Sequence, residues 1–325
     1  MITDLKPLSK LWLPLMLLAI FAFPFVDTNP YHVDVMVTTG IFMLLALGLN
    51  VIVGYSGILN LGFAALFAFG AYTYALVNIH WHVPFWIGLW ISGFATALFG
   101  ILLACPALRL SGDYIAIVTL GAGEIVRIAL NNLDTITGGP NGLLGIDHPG
   151  LWFPKYQFGV KSEPYYFLVF VLVLGVIFFL KRLESSRLGR AWCALREDEL
   201  AACFMGVSPV WAKLSAFAIG GFIAGLAGCV FAAKQGTVSP DSFDFVVSVM
   251  VLAMVVLGGI GNIGGVLLGA LTLSLLPEFL RGFESYRMLL FGLAMILMML
   301  FRPQGIAGFV RPKEEYRPKK ITSPK

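Results

Sequence analysis

Residues 165–233 read YYFLVFVLVLGVIFFL, then KRLESSRLGRAWCALREDELAACFMGVSPVWA, then KLSAFAIGGFIAGLAGCVFAA. Two apolar runs, each close to the length that crosses a bilayer, flank a polar island that opens on Lys181 and Arg182. Charge is sorted into the connection and kept out of the runs, as membrane-crossing helices require. The same sorting continues in both directions along the chain. Of its 325 residues, 58% are hydrophobic and only 12% charged, and the mean hydropathy is +0.87. An average soluble domain carries about 25% charged residues. A soluble globule could not hide this much apolar surface behind so few charges, so soluble enzymes are excluded, and so is a disordered chain.

The chain therefore reads as an all-α polytopic membrane protein. Taking about 20 mostly apolar residues per crossing gives about ten spans. They are Leu11–Val26, Val33–Val53, Ile58–Ile79, Pro84–Ala107, Tyr114–Leu130, Tyr165–Leu180, Lys213–Ala233, Phe245–Ile260, Gly264–Leu280 and Arg287–Phe301. The third span and the Gly258–Gly265 region invite a broken or re-entrant helix, which is tolerated where protein or a cavity surrounds the backbone. Met1–Lys10 and the run from Leu11 have the basic and apolar parts of a signal peptide but no small-x-small cleavage site, so the segment reads as a retained first helix.

An even number of spans puts both termini on one side, and basic residues say which. With the N-terminus inside, the cytoplasmic segments hold Lys6, Lys10, Arg109, Lys181, Arg182, Arg187, Arg190, Arg196, Lys213 and seven residues from Arg302 to Lys325, sixteen in all. The external segments hold Lys155, Lys161, Lys234, Arg281 and Arg287, five in all. This positive-inside bias places both termini in the cytoplasm. It also accounts for the net charge of +4 without a nucleic-acid partner.

Two connections are large enough to act. The external loop 131–163 contains the turn run Thr137-Gly-Gly-Pro-Asn-Gly-Leu-Leu-Gly145, which predicts a tight surface loop and no helix. In the internal segment 181–212, Trp192, Leu195, Leu200 and Phe204 recur at helical spacing with Arg196, Glu197 and Asp198 between them. That pattern predicts a short amphipathic helix, stopped at Gly206 with Pro209 beyond. By composition it either lies on the membrane surface or docks on a soluble partner.

Several chemistries are missing. No GxxxxGK[ST] stretch occurs, so the chain has no P-loop of its own. Gly259-Ile-Gly-Asn-Ile-Gly264 matches GxGxxG but follows a membrane span and has no acidic residue about twenty positions on, so its glycines read as a close helix approach or a helix break. His32, His80, His82 and His148 fall in external loops; His80-Trp-His82 lacks a third ligand and reads as an interface anchor. Cys105, Cys193, Cys203 and Cys229 have no CxxC spacing and read as small packing residues. No catalytic constellation, metal site or cofactor is expected. Within the spans, Glu124 and Arg127 lie three apart on one helix face. A lone charge there costs several kcal/mol on common estimates. The two are either a mutually neutralised pair or part of a polar path. Asn50, Asn60 and Asn262 are open between interhelical bonds and pathway lining.

The polar island carries a resemblance. Gly189-Arg-Ala-Trp-Cys-Ala-Leu-Arg-Glu-Asp-Glu-Leu-Ala-Ala202, followed by Gly206, resembles the coupling segment of ABC importer permeases, and more narrowly that of branched-chain amino acid permeases of the LivM type. The likeness runs from about Asp34 onward. It includes Ala46-Leu-Gly-Leu-Asn50, Leu108-Arg-Leu-Ser-Gly-Asp-Tyr114, Thr119–Arg127, Thr137–Gly142, Lys213–Phe217, Phe231–Gly236, Val256–Ile260, Tyr286–Leu290 and Phe301-Arg-Pro-Gln-Gly305.

The resemblance implies a single transmembrane permease domain over 1–325 in a bacterial inner membrane, with coupling segment 181–212, external loop 131–163 and cytoplasmic tail 302–325. It implies a second homologous permease of the LivH type, two cytoplasmic ATPases and a periplasmic or lipid-anchored substrate-binding protein. Coupling to the ATPases maps onto the segment holding Arg190, Trp192, Arg196, Glu197 and Asp198, and by motif onto Glu199, Ala201, Ala202 and Gly206. Those four stand as E-x-A-A-x-x-x-G, where other importer families have E-A-A-x-x-x-G. The expected function is ATP-driven import of leucine, isoleucine and valine. The alternatives are a related permease for urea or short amides, or a proton-coupled transporter using Glu124.

Overall fold

The computed structural model describes residues 29–108, 110, 112–150, 162–279, 292 and 296. The predicted first span, all of the last span except residues 292 and 296, Arg109 and the tail 302–325 lie outside the described residues. The main elements are helices α1 (Pro30–Leu49), α2 (Phe63–Trp81), α3 (Phe85–Ala107), α4 (Asp113–Asn132), α5 (Asp134–Thr137), α6 (Ser162–Glu184), α7 (Arg187–Glu197), α8 (Glu199–Phe204), α9 (Pro209–Gln235), α10 (Phe245–Gly258) and α11 (Ile263–Phe279). Seven helical stretches among the described residues are long and apolar enough to cross a membrane, and α11 is a shorter apolar helix. Together they correspond to the second through ninth predicted spans.

Helix α9 is the hub, packed mainly on α3, α2 and α1. Its glycines make this possible. A Cβ at Gly228 would lie 2.6 Å from the carbonyl oxygen of Phe67, and one at Gly225 would lie 2.6 Å from that of Ser92. Helices approach this closely where small residues remove the side-chain spacer, since lipid offers no hydrophobic drive for association. The Ser92 hydroxyl ties the three helices, lying 2.7 Å from Gly70 O and 2.9 Å from Gly225 O.

The two ends of the bundle differ. At one end α6 turns into α7 and α8, and the basic residues Lys181, Arg182, Arg187, Arg190, Arg196 and Lys213 collect there. At the other end a two-residue antiparallel ribbon pairs β1 (Leu143–Leu144) with β2 (Thr237–Val238), joining the connection after α4 to the one after α9. Lys234 sits at this end, 3.0 Å from Asp34 and 3.0 Å from Thr38 Oγ1.

Four sequence expectations need correction. The turn run after α4 is not free of helix: α5 ends on Thr137 and a 3₁₀ turn spans Gly139–Asn141, because positive-φ glycines at 138 and 139 let the chain coil tightly. The amphipathic segment is two helices rather than one, since Asp198 adopts an extended conformation (φ −157°, ψ 114°) and caps α8 through Ala201 N–H. The histidines are not all in loops: His32 lies in the first turn of α1, His80 in the last turn of α2, and His82 caps α2 at φ 48°. Of the cysteines only Cys229 is buried; Cys105, Cys193 and Cys203 are exposed on outward helix faces.

Candidate functional site

Among the described residues the polar segment is a handle with an anchored side and an exposed side. Helix α7 starts at Ser186, whose hydroxyl accepts from Gly189 N–H at 3.3 Å. Gly189 is required there: a Cβ would stand 2.5 Å from the carbonyls of both Leu183 and Glu184. One turn on, the fully buried Trp192 donates its indole N–H toward Ala212 O (2.9 Å) and Ser215 Oγ (3.1 Å), and stacks on Tyr55 with 6.4 Å between ring centroids. Arg196 donates to Gly54 O at 2.6 Å. In α8, Glu199 pairs with the nearly buried Lys213 at 2.8 Å, and Ala202 faces inward. Gly206, at φ +84°, turns the chain into α9.

The remaining predicted coupling residues lie outward. Arg190, Glu197, Asp198 and Ala201 are exposed. Sequence spacing missed the split between the two helices: Trp192 and Leu195 are buried, whereas Leu200 (72% exposed) and Phe204 (90%) point away, with Met205 (85%) beside them. The extended Asp198 rotates α8 relative to α7, so a stripe that looks continuous in sequence serves two surfaces. It also missed Gly54, Tyr55 and Lys213 as anchors. Only Lys213, a cation at the head of an apolar run, left a signal.

The anchors lead into two broken helices. Asn50–Tyr55 continues α1 as a π-helix, a geometry frequent at functional sites. Asn50 Oδ1 accepts from Gly261 N–H at 2.9 Å, inside the break between α10 and α11. Gly259 (φ 114°) and Gly261 (φ 88°) make that break, and Asn262 Oδ1 caps α11 by accepting from Gly264 N–H. Arg196, Gly54, Asn50 and Gly261 thus form one bonded path from handle to helix break. Among the described residues Asn50 Nδ2 and Tyr55 Oη are buried at this junction with no hydrogen-bond partner.

A second polar region lies level with the middle of α4. There α2 and α10 both begin, joined by the Ala64 N–H donating to Ser248 Oγ at 2.8 Å. Asn60 Oδ1 accepts from Gly62 N–H, and Leu61 N–H donates to Thr119 Oγ1. Gly62 lies directly against the α4 backbone; its absent Cβ would overlap the Thr119 carbonyl. A small crevice, with room for about one water molecule, opens here, with Glu124, Asp244 and Ser248 on its walls. Arg127 Nε donates to Glu124 Oε2 at 3.0 Å, and each side chain is about one-third exposed. The three asparagines and the ion pair therefore all sit at interruptions of regular helix or beside them. Among the described residues no group of three metal-ligating side chains comes together.

Comparison with known proteins identifies the architecture. Residues 31–299 match the family model described as the branched-chain amino acid transport system permease component. The chain belongs to that family. This permease is 46% identical to the high-affinity branched-chain amino acid transport system permease protein LivM of Salmonella typhimurium (strain LT2), over 94% of its own length and 76% of the relative's. It is equally similar to the protein of that name from Escherichia coli (strain K12). It is also similar, at 25% identity over 84% of its length, to the permease protein LivH of the same E. coli strain. No solved structure matches the permease.

Proposed function

We propose that this chain is the LivM-type permease subunit of an ATP-driven importer that carries branched-chain amino acids across the bacterial inner membrane. The observation that carries the reading is the handle: anchored to the core on one side and, among the described residues, exposing Leu200, Phe204 and Met205 beside charged side chains on the other, in a chain without a P-loop. A subunit that cannot bind ATP phosphates needs a grip for one that can, and Leu200, Phe204 and Met205 offer it. The second homologous permease, two ATPases and a substrate-binding protein follow from the family.

In this mechanism ATP-driven closure of the ATPases displaces the handle, in which Arg190, Glu197, Asp198 and Ala201 lie toward the partner. Trp192, Arg196 and Glu199 pass the displacement to α1 and α9. The bond from Arg196 to Gly54 reaches the Asn50–Gly261 junction, and the two breaks repack. The path opens past the region of Asn60, Asn262, Glu124 and Arg127 toward the binding protein. A partner moves this equilibrium only by binding the two packings with different affinity. Among the described residues, six basic side chains at the handle end against Lys234 at the ribbon end support a cytoplasmic handle. Engagement of Glu124 by Arg127 favours this reading over a proton-carrying carboxylate.

The test is co-purification with the candidate ATPases, second permease and binding protein, followed by ATP hydrolysis in liposomes. Hydrolysis stimulated by binding protein plus leucine is the expected result. Assembly with a response to urea or short amides instead would move the substrate class. Failure to hold any ATPase overturns the reading.

A further inference from the structure

Helices α1 and α9 run in opposite directions and touch through bare backbone. A Cβ at Gly48 would lie 3.0 Å from the carbonyl oxygen of Gly220, and one at Gly220 would lie 2.9 Å from that of Gly48. Where small residues let two backbones meet, no ridge of side chains fixes the crossing angle at the contact itself. The pair has the form of two rods on a pivot.

Both rods are fastened on either side of that pivot. Toward the handle, Gly54 O on the continuation of α1 accepts from Arg196, Ala212 O on α9 accepts from the Trp192 indole, and Lys213 of α9 pairs with Glu199. At the ribbon end one side chain joins the rods directly. The Lys234 ammonium of α9 lies 3.0 Å from Asp34 Oδ1 and donates to Asp34 O at 3.3 Å and to Thr38 Oγ1 at 3.0 Å, so its three N–H groups meet three acceptors on α1. Asp34 Oδ1 also accepts from the Ser162 hydroxyl at 2.9 Å, which brings the first turn of α6 onto the same carboxylate. Only 11% of the Lys234 side chain is exposed. Burying an ion pair adds little net stability, because desolvation offsets the attraction; register and switching are its best-attested uses.

The arms of the two rods match. Asp34 lies fourteen positions from Gly48, and Lys234 lies fourteen positions from Gly220. At the helical rise both far arms are about 21 Å long. On the handle side, Gly54 is six positions from Gly48 and Ala212 is eight from Gly220. Those arms are about 9–12 Å long. Rotation about the pivot therefore roughly doubles at the far end whatever relative shift the handle imposes. A shift of about 1 Å becomes about 2 Å, which takes a 3.0 Å pair out of hydrogen-bonding distance.

We propose that Lys234 is a positioning residue of the transport cycle: its bond to Asp34 pins the resting crossing of α1 on α9, and displacement of the handle parts the pin by scissoring the two helices about Gly48 and Gly220. The proposal rests on the ATP-driven reading above and adds a step at the end of the bundle far from the ATPase. A contact made in one packing and lost in the other sets the balance between them, so its removal favours the other packing. The binding protein and leucine then have less of that shift left to supply.

The test uses the assembled complex in liposomes, with ATP hydrolysis and leucine uptake read together. Lys234→Met removes the cation and keeps an unbranched side chain. The expected result is hydrolysis without binding protein raised by about fivefold or more, the low end of typical coupling between sites, with less leucine carried per ATP. A lysine that only supports folding would lower assembly and leave the ratio of stimulated to unstimulated hydrolysis unchanged; an unchanged ratio overturns the inference. A second variant decides the matter if Lys234→Met does not assemble. Asp34→Cys and Lys234→Cys, in a chain whose exposed Cys105, Cys193 and Cys203 are replaced by serine, are bridged with a bifunctional methanethiosulfonate. Uptake should stop with the bridge in place and return once a reductant cleaves it, and uptake that continues through an intact bridge overturns the inference. Both negative results leave the proposed function standing. An unmodified complex whose hydrolysis ignores binding protein and leucine overturns that function, and the pin with it.

Discussion

Arg196 reaches a backbone carbonyl 142 positions earlier in the chain, and that bond is the narrowest point between handle and core. A hydrogen bond from a charged donor contributes about 1.5–3 kcal/mol, enough to hold the handle to the π-helical segment without making it immovable. Arg196→Ala removes the bond and leaves α7 in place through Trp192. The expected outcome is uptake reduced about tenfold or more while ATP hydrolysis by the assembled complex continues. Parallel measurement of leucine uptake and phosphate release in liposomes checks it, and a proportional fall in both assigns Arg196 to assembly instead. The Glu199–Lys213 pair makes a different prediction. Lys213 is nearly buried, so Glu199→Gln leaves an ammonium group without its carboxylate. Breaking such a pair from one side is harsher than replacing both members with apolar residues. Thermal unfolding in detergent should rank the Glu199→Gln protein below the double variant Glu199→Met, Lys213→Met.

At the scale of elements, α8 divides its labour by face. Ala202 and Glu199 hold it to the bundle, and Phe204 is left open. Phe204→Ala touches no internal packing, so the protein should insert and fold as before. Its expected effect is weaker retention of the ATPase, by about 2 kcal/mol if the residue is an anchor of the contact. Pull-down of the ATPase at graded concentrations reads this; unchanged retention would move the docking surface elsewhere on the handle. The division was not legible in the sequence. Trp192, Leu195, Leu200 and Phe204 fit one helical stripe, and only the extended backbone at Asp198 shows that two stripes meet there. The apolar runs were legible because crossing a bilayer demands length and hydropathy, which a single sequence displays. The breaks were half-legible: the glycines at 259, 261 and 264 announced one, whereas nothing in Asn50–Tyr55 announces a π-helix. The asparagines were visible as polar residues in apolar runs, but their partners are backbone N–H groups exposed by the breaks, and those follow from the fold.

For the whole molecule, the proposed orientation, with the handle in the cytoplasm, is one that a single thiol can report. Cys203 is exposed on the handle and Cys229 is buried in the hub. In a protein retaining Cys203 alone, a membrane-impermeant maleimide should label inverted vesicles and spare right-side-out ones. The opposite pattern would reverse the assignment of sides. The whole architecture hangs on α9, whose glycines let α2 and α3 close on it and whose first turn receives the Trp192 indole. That indole also gives the transporter a built-in optical reporter. Its ring is shut off from solvent, its N–H is fully engaged, and a tyrosine lies parallel beneath it. With the other tryptophans replaced by phenylalanine, emission should be blue in the resting state and move to the red, with a faster anisotropy decay, as the handle lifts from its seat. Each turnover would then write its own fluorescence trace, with no dye attached.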